Sequence, residues 1–191
     1  MSWASDEFLR DIPKCDLHVH LDGSLRINTL IELAQKNGVE LPSYSEEELG
    51  KTIFSGEFSN LEEYLLGFHY TCAVMTNTDA MERIAYEFAV DNYEEGVRYF
   101  EVRFAPQLHA SMDASQKFSM RDVTIAVNQG LKRAKEEYNQ KLVDCGAMEN
   151  DPFYDYGIIA CAMRMLPPGP YFDALRLVHP DVEPDRLSGR A

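Results

Sequence analysis

The sequence predicts an α/β protein, because short apolar runs that suit strands alternate with longer segments that have helical periodicity. The strand-like runs lie at about 15–21, 97–105 and 156–163. Much of each run is apolar on both faces, which is typical of parallel strands covered by helices. We therefore expect about three parallel strands with helices outside them.

Helical patterns fill the segments between the predicted strands. They lie at 27–38, 60–75, 78–96 and 119–141. Gly38 and Gly96 follow the last periodic residues of two of these segments and predict that helices end there. Thr78 and Ser119 begin the last two segments and are predicted N-caps, because their hydroxyls can accept the first free backbone N–H groups of a helix.

A change in composition predicts one folded unit at 1–164 and an atypical tail at 165–191. Five of the nine prolines fall in the last 25 residues, and no lysine occurs after Lys141. The tail contains one short helical pattern and no further strand-like run. An out-of-frame or unrelated ending would explain its composition.

The charge of the chain restricts the partners that it is expected to have. A formal net charge of −14 over 191 residues disfavours binding to nucleic-acid phosphates and to anionic membranes. The sequence contains no run of about 18 apolar residues, so it predicts no membrane span. The first residues also lack the apolar segment of a secretory signal. We expect a cytoplasmic protein without nucleic-acid or membrane partners.

The cysteines are consistent with a cytoplasmic location. Cys15, Cys72, Cys145 and Cys161 form no C-x-x-C pair and lie mostly within apolar stretches. Isolated cysteines of this kind are typical of reduced thiols in the core of an intracellular protein. We expect all four to be reduced core residues.

The stretch CDLHVHLDGS, residues 15–24, holds two of the five histidines. Side chains alternate between the faces of a strand. The even-numbered residues Asp16, His18, His20 and Asp22 are therefore expected on one face, and the odd-numbered ones, beginning with Leu17, on the other. Two imidazoles roughly 6.5–7 Å apart along a strand can bind one metal ion. The alternative is a buried strand whose polar residues are hydrogen-bonded, because H-x-H alone specifies few ligands.

Three stretches together resemble the first part of the adenosine deaminase family, which are zinc hydrolases of the amidohydrolase superfamily. They are PKCDLHVHLDGSL, RIAYEFAVDNYEEGVRYFEVRFAPQLH and GIIACAMR, and the resemblance covers about 12–164. The resemblance implies the N-terminal part of a (β/α)₈ barrel with its site at the C-terminal ends of the strands. It also implies hydrolysis of a cyclic amidine C–N bond, which converts adenosine or a related aminopurine to inosine and ammonia.

The resemblance assigns roles to five residues. It makes His18 and His20 ligands of Zn²⁺, and it places His20 and Asp22 against a purine nucleoside, with Asp22 at the ribose end. It makes the segment LEEYLLGFHY a lid helix, in which Tyr64 and Phe68 provide an apolar wall over the purine. Ordinary core packing is the alternative for these two aromatic residues, because side chains four positions apart share a helix face.

The remaining polar candidates are not expected to do the chemistry. Glu101 and Arg103 alternate with apolar neighbours on the second strand, and we expect a buried ion pair between them. His69, His109 and His179 are not expected to bind the metal, because none has a second ligand at a suitable spacing. No catalytic acid or base is identified in the chain. The third histidine ligand, glutamate acid, histidine base and aspartate pair of the family have no counterpart here.

We therefore expect a truncated member of this family that is inactive alone, since a complete barrel needs about 250 residues. One alternative is a fragment that binds zinc weakly or serves as an interaction module. Another is a metal-dependent phosphoesterase of the PHP type, which also begins with D-L-H-x-H but lacks LDGS and EVRFAP. The sequence does not decide between adenosine, adenine and other aminopurines as the substrate, or the oligomeric state.

Overall fold

Three parallel strands form one sheet in the computed structural model, which describes residues 4–110, 118–147 and 151–162. The strands are β1 (Lys14–His20), β2 (Val97–Phe104) and β3 (Asp155–Ala160), in the spatial order β1-β2-β3. Both pairs are parallel, so the predicted parallel sheet is confirmed. The tail at 165–191 lies outside the described residues.

The helices match the predicted segments and add three short ones. They are α1 (Asp6–Asp11), α2 (Ile27–Asn37), α3 (Glu46–Thr52), α4 (Leu61–Val74), α5 (Thr78–Glu94), α6 (Pro106–His109) and α7 (Met120–Cys145). The prediction missed α1, α3 and α6, which have at most two turns each and too few positions to show a helical period. In the described part of the chain, no helix is long and apolar enough to cross a membrane.

The helix ends test the four predicted signals. Gly96 follows the end of α5 with φ 85°, as predicted. Gly38 caps α2 in the left-handed conformation, at φ 70°, and Ser119 caps α7 with its hydroxyl, so both predictions are confirmed. Thr78 as an N-cap is wrong, because it is already the first residue of α5. The cap is Asn77, whose side-chain oxygen accepts a hydrogen bond from the Ala80 N–H at 2.9 Å.

The core lies between one face of the sheet and the helices α5 and α7. Phe100, Val102 and Phe104 alternate along β2 and are almost fully buried. Buried side chains of the two helices belong to the same core: Met81, Ile84, Ala85, Phe88, Val127 and Leu131. The opposite face of β2 carries only half-buried residues. This face is the one expected to line the inside of a barrel.

The alternation predicted for β1 fails at its centre. The strand register shifts between Asp16 and Val19, where β1 uses one more residue than β2. An extra residue of this kind interrupts the alternation of side chains. As a result Leu17, predicted to lie on the apolar face, is 56% exposed, whereas Leu21 at the end of the run is fully buried.

The prediction for the cysteines is confirmed in one respect and wrong in another. None of the four, all of which lie in the described ranges, forms a disulfide, as expected of reduced residues. However, Cys15 and Cys145 are exposed, and only Cys72 and Cys161 are even partly buried. Cys15 belongs to the irregular edge strand β1, and Cys145 ends a helix, which explains why apolar neighbours in sequence do not bury them.

Candidate metal and nucleoside site

The two histidines of β1 lie side by side at the C-terminal end of the strand. The ring centroids of His18 and His20 are 5.6 Å apart, with an angle of 44° between the rings. Two imidazoles bound to one tetrahedral zinc ion have centroids roughly 5 Å apart, given Zn–N bonds of about 2.0–2.1 Å. The observed separation is close to this value, and both rings are exposed on the surface of this chain.

Asp22 lies beside this pair and is almost completely buried, with 6% of the residue exposed. Its Oδ1 is 3.7 Å from Nδ1 of His20, which leaves Nε2 of His20 directed elsewhere. Oδ1 has no hydrogen-bond partner among the described residues. Burial raises the pKa of this carboxyl group, and the neighbouring His20 offsets part of the rise. The result is a buried carboxylate oxygen next to the histidines that accepts no hydrogen bond from the described residues.

Aromatic residues of α4 extend from His20 toward the surface. The Phe68 ring lies edge-on to the His20 ring, with 6.3 Å between the ring centroids. The ring centroids of Tyr64 and Phe68 are 5.4 Å apart. A side-chain Cβ at Gly23 would come within 2.9 Å of the Phe68 ring, so glycine allows this close approach. Tyr64 is 45% exposed, which argues against the core-packing alternative for this residue. The helix thus places an apolar wall next to the histidines.

The predicted ion pair between Glu101 and Arg103 is not formed. Glu101 instead accepts a hydrogen bond from the Tyr99 hydroxyl at 3.1 Å. Arg103 donates to the Leu17 carbonyl at 2.9 Å. The reason lies in β1, because the register shift next to Leu17 interrupts the strand ladder and gives Arg103 a backbone acceptor.

The structure adds two residues that sequence reasoning did not place here. Asp22, Cys72 and His109 each direct one ligand atom into a common space, and these atoms lie within 4.8 Å of one another. Burial lowers the pKa of His109 to about 4, although the backbone of Met75 opposes the shift. Burial also raises the pKa of the Cys72 thiol to about 12, and the Asp22 charge adds to this rise. Both groups are therefore neutral at pH 7.

Comparison with known proteins shows the family to which this chain belongs. The family model described as adenosine deaminase matches residues 13–167, which is most of the chain and includes both histidines. The chain belongs to the adenosine deaminase family. Membership also decides against the PHP-type phosphoesterase alternative.

Two relatives show how much of a family member this chain represents. A probable adenosine deaminase of Dictyostelium discoideum is 40% identical over 149 residues, which is 76% of this chain and 19% of that protein. The adenosine deaminase of Clostridium perfringens strain SM101 is 40% identical over 134 residues, 70% of this chain and 39% of that protein. The chain therefore spans well under half the length of either relative.

Solved structures show the same fold. An amidohydrolase from Burkholderia ambifaria with bound Zn has a TM-score of 0.54 at 20% identity, over 92% of this chain and 51% of that one. The Arabidopsis protein ADAL in complex with IMP has a TM-score of 0.53 at 22% identity, over 92% and 57%. The three strands and their helices are therefore part of a (β/α)₈ barrel fold.

Proposed function

We propose that this chain provides the metal-binding and sugar-binding part of a zinc-dependent aminopurine deaminase. The observation that supports this proposal most strongly is the His18–His20 pair at the end of β1. Its ring centroids are 5.6 Å apart, close to the separation expected for two imidazoles that bind one ion. Its position at the C-terminal end of a barrel strand is where such barrels carry their chemistry. The bound zinc ion of the Burkholderia structure supports the choice of metal.

The chemistry explains why a metal is needed at this point. Deamination replaces an exocyclic amino group with oxygen, which requires a strong oxygen nucleophile at neutral pH. Zinc supplies it when bound, since it lowers the pKa of water to about 7. His18 and His20 would hold the ion, and Asp22, with its oxygen 3.7 Å from Nδ1 of His20, would favour the orientation that leaves Nε2 free for it.

Asp22 also fits a role in substrate binding. Its Oδ1 is buried and has no hydrogen-bond partner among the residues that the structure describes. Such an oxygen is a strong acceptor for a sugar hydroxyl that enters the site, because charged acceptors form the stronger hydrogen bonds. Phe68 and Tyr64, next to His20, would cover the apolar purine ring. The proposed partner is thus a small purine nucleoside. The Arabidopsis structure contains a purine nucleotide, IMP, which supports the purine part of this choice.

A chimaera tests this function. In it, residues 13–162 of this chain replace the matching segment of the Clostridium perfringens adenosine deaminase. We expect conversion of adenosine to inosine that a chelator removes and zinc restores. We expect no conversion after His18→Ala or His20→Ala, because each removes a proposed zinc ligand, and unchanged activity after His69→Ala on the exposed side of α4. A chimaera that is folded and zinc-loaded but does not act on adenosine would contradict the proposal.

The same chimaera tests Asp22 separately. Asp22→Ala is expected to raise the KM for adenosine roughly tenfold or more, because a hydrogen bond to a charged group contributes about 1.5–3 kcal/mol. The effect on kcat should be smaller, since a sugar contact is remote from the reacting carbon. Glu40→Ala, which changes an exposed loop carboxylate, is the control. An unchanged KM in the Asp22 variant would exclude the sugar contact.

A further inference from the structure

A second set of metal-type side chains includes Asp22, which lies beside His20. Asp22 follows β1, His109 ends α6 just after β2, and Cys72 lies in the last turns of α4. Although they are distant in sequence, one ligand atom from each lies within 4.8 Å of the other two. The three elements therefore converge on one point beneath the C-terminal edge of the sheet.

Burial makes this convergence significant. Asp22 and His109 are only 6% and 4% exposed. Asp22 Oδ1 accepts no hydrogen bond from the described residues, and its nearest charged neighbour is Nδ1 of His20 at 3.7 Å. The His109 ring has the Met75 backbone as its polar neighbour. Native proteins rarely leave buried polar atoms unpartnered, and each such case needs a bound water, an ion or a function to explain it. A buried carboxylate oxygen that accepts no hydrogen bond, with a thiol and an imidazole within 4.8 Å, indicates a missing ligand.

We propose that Asp22, Cys72 and His109 form a second binding site for a divalent metal ion of the zinc type. Sulfur, nitrogen and oxygen donors together match zinc, which accepts all three. A thiolate, a carboxylate and a neutral imidazole cancel the charge of a divalent ion, which suits a buried position.

The distances permit a tetrahedral site after a small contraction. Ligand atoms of a tetrahedral zinc ion lie roughly 3.3–3.8 Å apart, given bonds of about 2.0–2.3 Å. The present upper limit of 4.8 Å requires the side chains to close by about one ångström. Rotation of the cysteine side chain is the simplest means, since Cys72 is only partly buried. Three protein ligands leave a fourth position for water.

Metal binding at this site does not depend on the proposed function. Its expected effect on nucleoside binding does depend on that function. Asp22 belongs both to this cluster and to the proposed sugar contact. A metal ion bound here would hold the carboxylate that a nucleoside needs. If the proposed function holds, the second site therefore inhibits nucleoside binding.

Cobalt(II) is the probe for this site, because thiolate ligation gives a charge-transfer band in the near ultraviolet that histidine ligation lacks. The reduced 191-residue chain is titrated with cobalt(II) alone. We expect the thiolate band at one equivalent, and its loss on addition of zinc. Cys72→Ser should abolish the band, whereas Cys145→Ser, which changes an exposed thiol, should keep it. His109→Gln should weaken cobalt binding at least tenfold.

Two further measurements separate this site from the histidine pair and from misfolding. The His18→Ala, His20→Ala double variant should keep the thiolate band, since it leaves Asp22, Cys72 and His109 intact. X-ray absorption of the zinc-loaded parent chain should show one sulfur neighbour at about 2.3 Å. A metal shell of nitrogen and oxygen only, or a thiolate band that survives Cys72→Ser, would overturn the proposal. An inactive chimaera with the band intact would count against the deaminase function alone.

Discussion

At the residue scale, His20 connects the features that make this site specific. It lies 5.6 Å from His18 by ring centroids and meets Phe68 edge-on at 6.3 Å. On its other side, Nδ1 faces Asp22 at 3.7 Å. A group next to the ring nitrogen that does not bind the metal fixes the orientation of the ring and thereby supports metal binding. The His20 ring therefore has a second imidazole, an aromatic ring and a carboxylate as its neighbours.

Zinc affinity of the chain itself is expected to depend on the histidine pair. In a Cys72→Ser background, which removes the sulfur ligand of the second cluster, His18→Ala and His20→Ala should each lower zinc affinity at least roughly tenfold. His69→Ala should leave it unchanged, because that ring contacts Tyr70 on α4. Competition with a chromophoric chelator measures the affinity. Equal affinity in all four proteins would exclude His18 and His20 as ligands.

The sequence predicted that His18, His20 and Asp22 lie together, but it did not predict that Cys72 and His109 lie beside Asp22. Asp22 and His109 follow neighbouring parallel strands, so their meeting at one sheet edge is deducible from the strand order. Cys72 was predicted as an isolated core thiol, and only the path of α4 across the strand ends brings it to them. Such long-range convergence leaves no pattern in sequence spacing. The predicted ion pair between Glu101 and Arg103 is wrong for a different reason. A register shift in β1 gives Arg103 the Leu17 carbonyl as its acceptor instead.

At the element scale, the packing of α7 against α5 depends on a single glycine. A Cβ at Gly130 would lie 2.2 Å from the Glu82 carbonyl oxygen and 2.8 Å from the Tyr86 nitrogen. Both atoms are backbone, so the neighbouring helix would have to move as a whole. The helical period of this segment predicts α7, but the close approach of two helix backbones is visible only in the structure.

Gly130→Ala is expected to lower the free energy of unfolding by about 1–3 kcal/mol, the usual cost of overpacking. Gly50→Ala in α3 is the matched control, because its Cβ would be 3.8 Å from the Ile27 side chain, an ordinary contact. This control should be neutral or stabilising by about 0.5–1 kcal/mol, since alanine favours a helix over glycine. Urea unfolding measures both variants. Equal stability of the two would contradict the close packing of α5 and α7.

The start of α7 predicts a dependence of stability on pH. The Ser119 hydroxyl and backbone both hydrogen-bond to the Asp122 carboxylate, and these bonds lower the pKa of Asp122. A carboxyl whose folded pKa lies below its unfolded value of about 3.9 stabilises the fold above that pH. The contribution is lost as the pH falls through the folded pKa. Stability should therefore decrease on acidification below about pH 4.

The cap variants check this assignment. Ser119→Ala is expected to lower the free energy of unfolding at pH 7 by about 1 kcal/mol, as the loss of an N-cap does. Asp122→Asn should remove part of the loss of stability on acidification, because the amide does not titrate. Urea unfolding at pH 7 and at acidic pH measures both effects. An unchanged acid dependence in Asp122→Asn would show that other carboxyl groups are responsible.

At the scale of the whole molecule, the sheet of the described residues is open. Its outer strands are β1 and β3, and Leu17 on β1 is 56% exposed. Four apolar side chains of α4 are also between 44% and 68% exposed: Leu61, Tyr64, Leu65 and Leu66. Further strands and a bound purine would cover such surfaces in a closed barrel. The parallel order of the strands was deducible from the sequence, whereas the extent of this exposure was not.

A polypeptide of these 191 residues is expected not to deaminate adenosine. Catalytic zinc sites usually have three protein ligands and an open position for water. The His18–His20 pair at the end of β1 would supply only two. No residue next to this pair has been assigned the proton transfer to the ring nitrogen, a step that typically contributes 10²–10⁴-fold to rates. The purified chain, loaded with zinc, is followed by the loss of adenosine absorbance, with the active chimaera as the positive control. We expect no turnover above buffer. Turnover that a chelator abolishes and zinc restores would contradict this expectation, and its loss in Cys72→Ser or His109→Gln would show that the buried cluster completes the site.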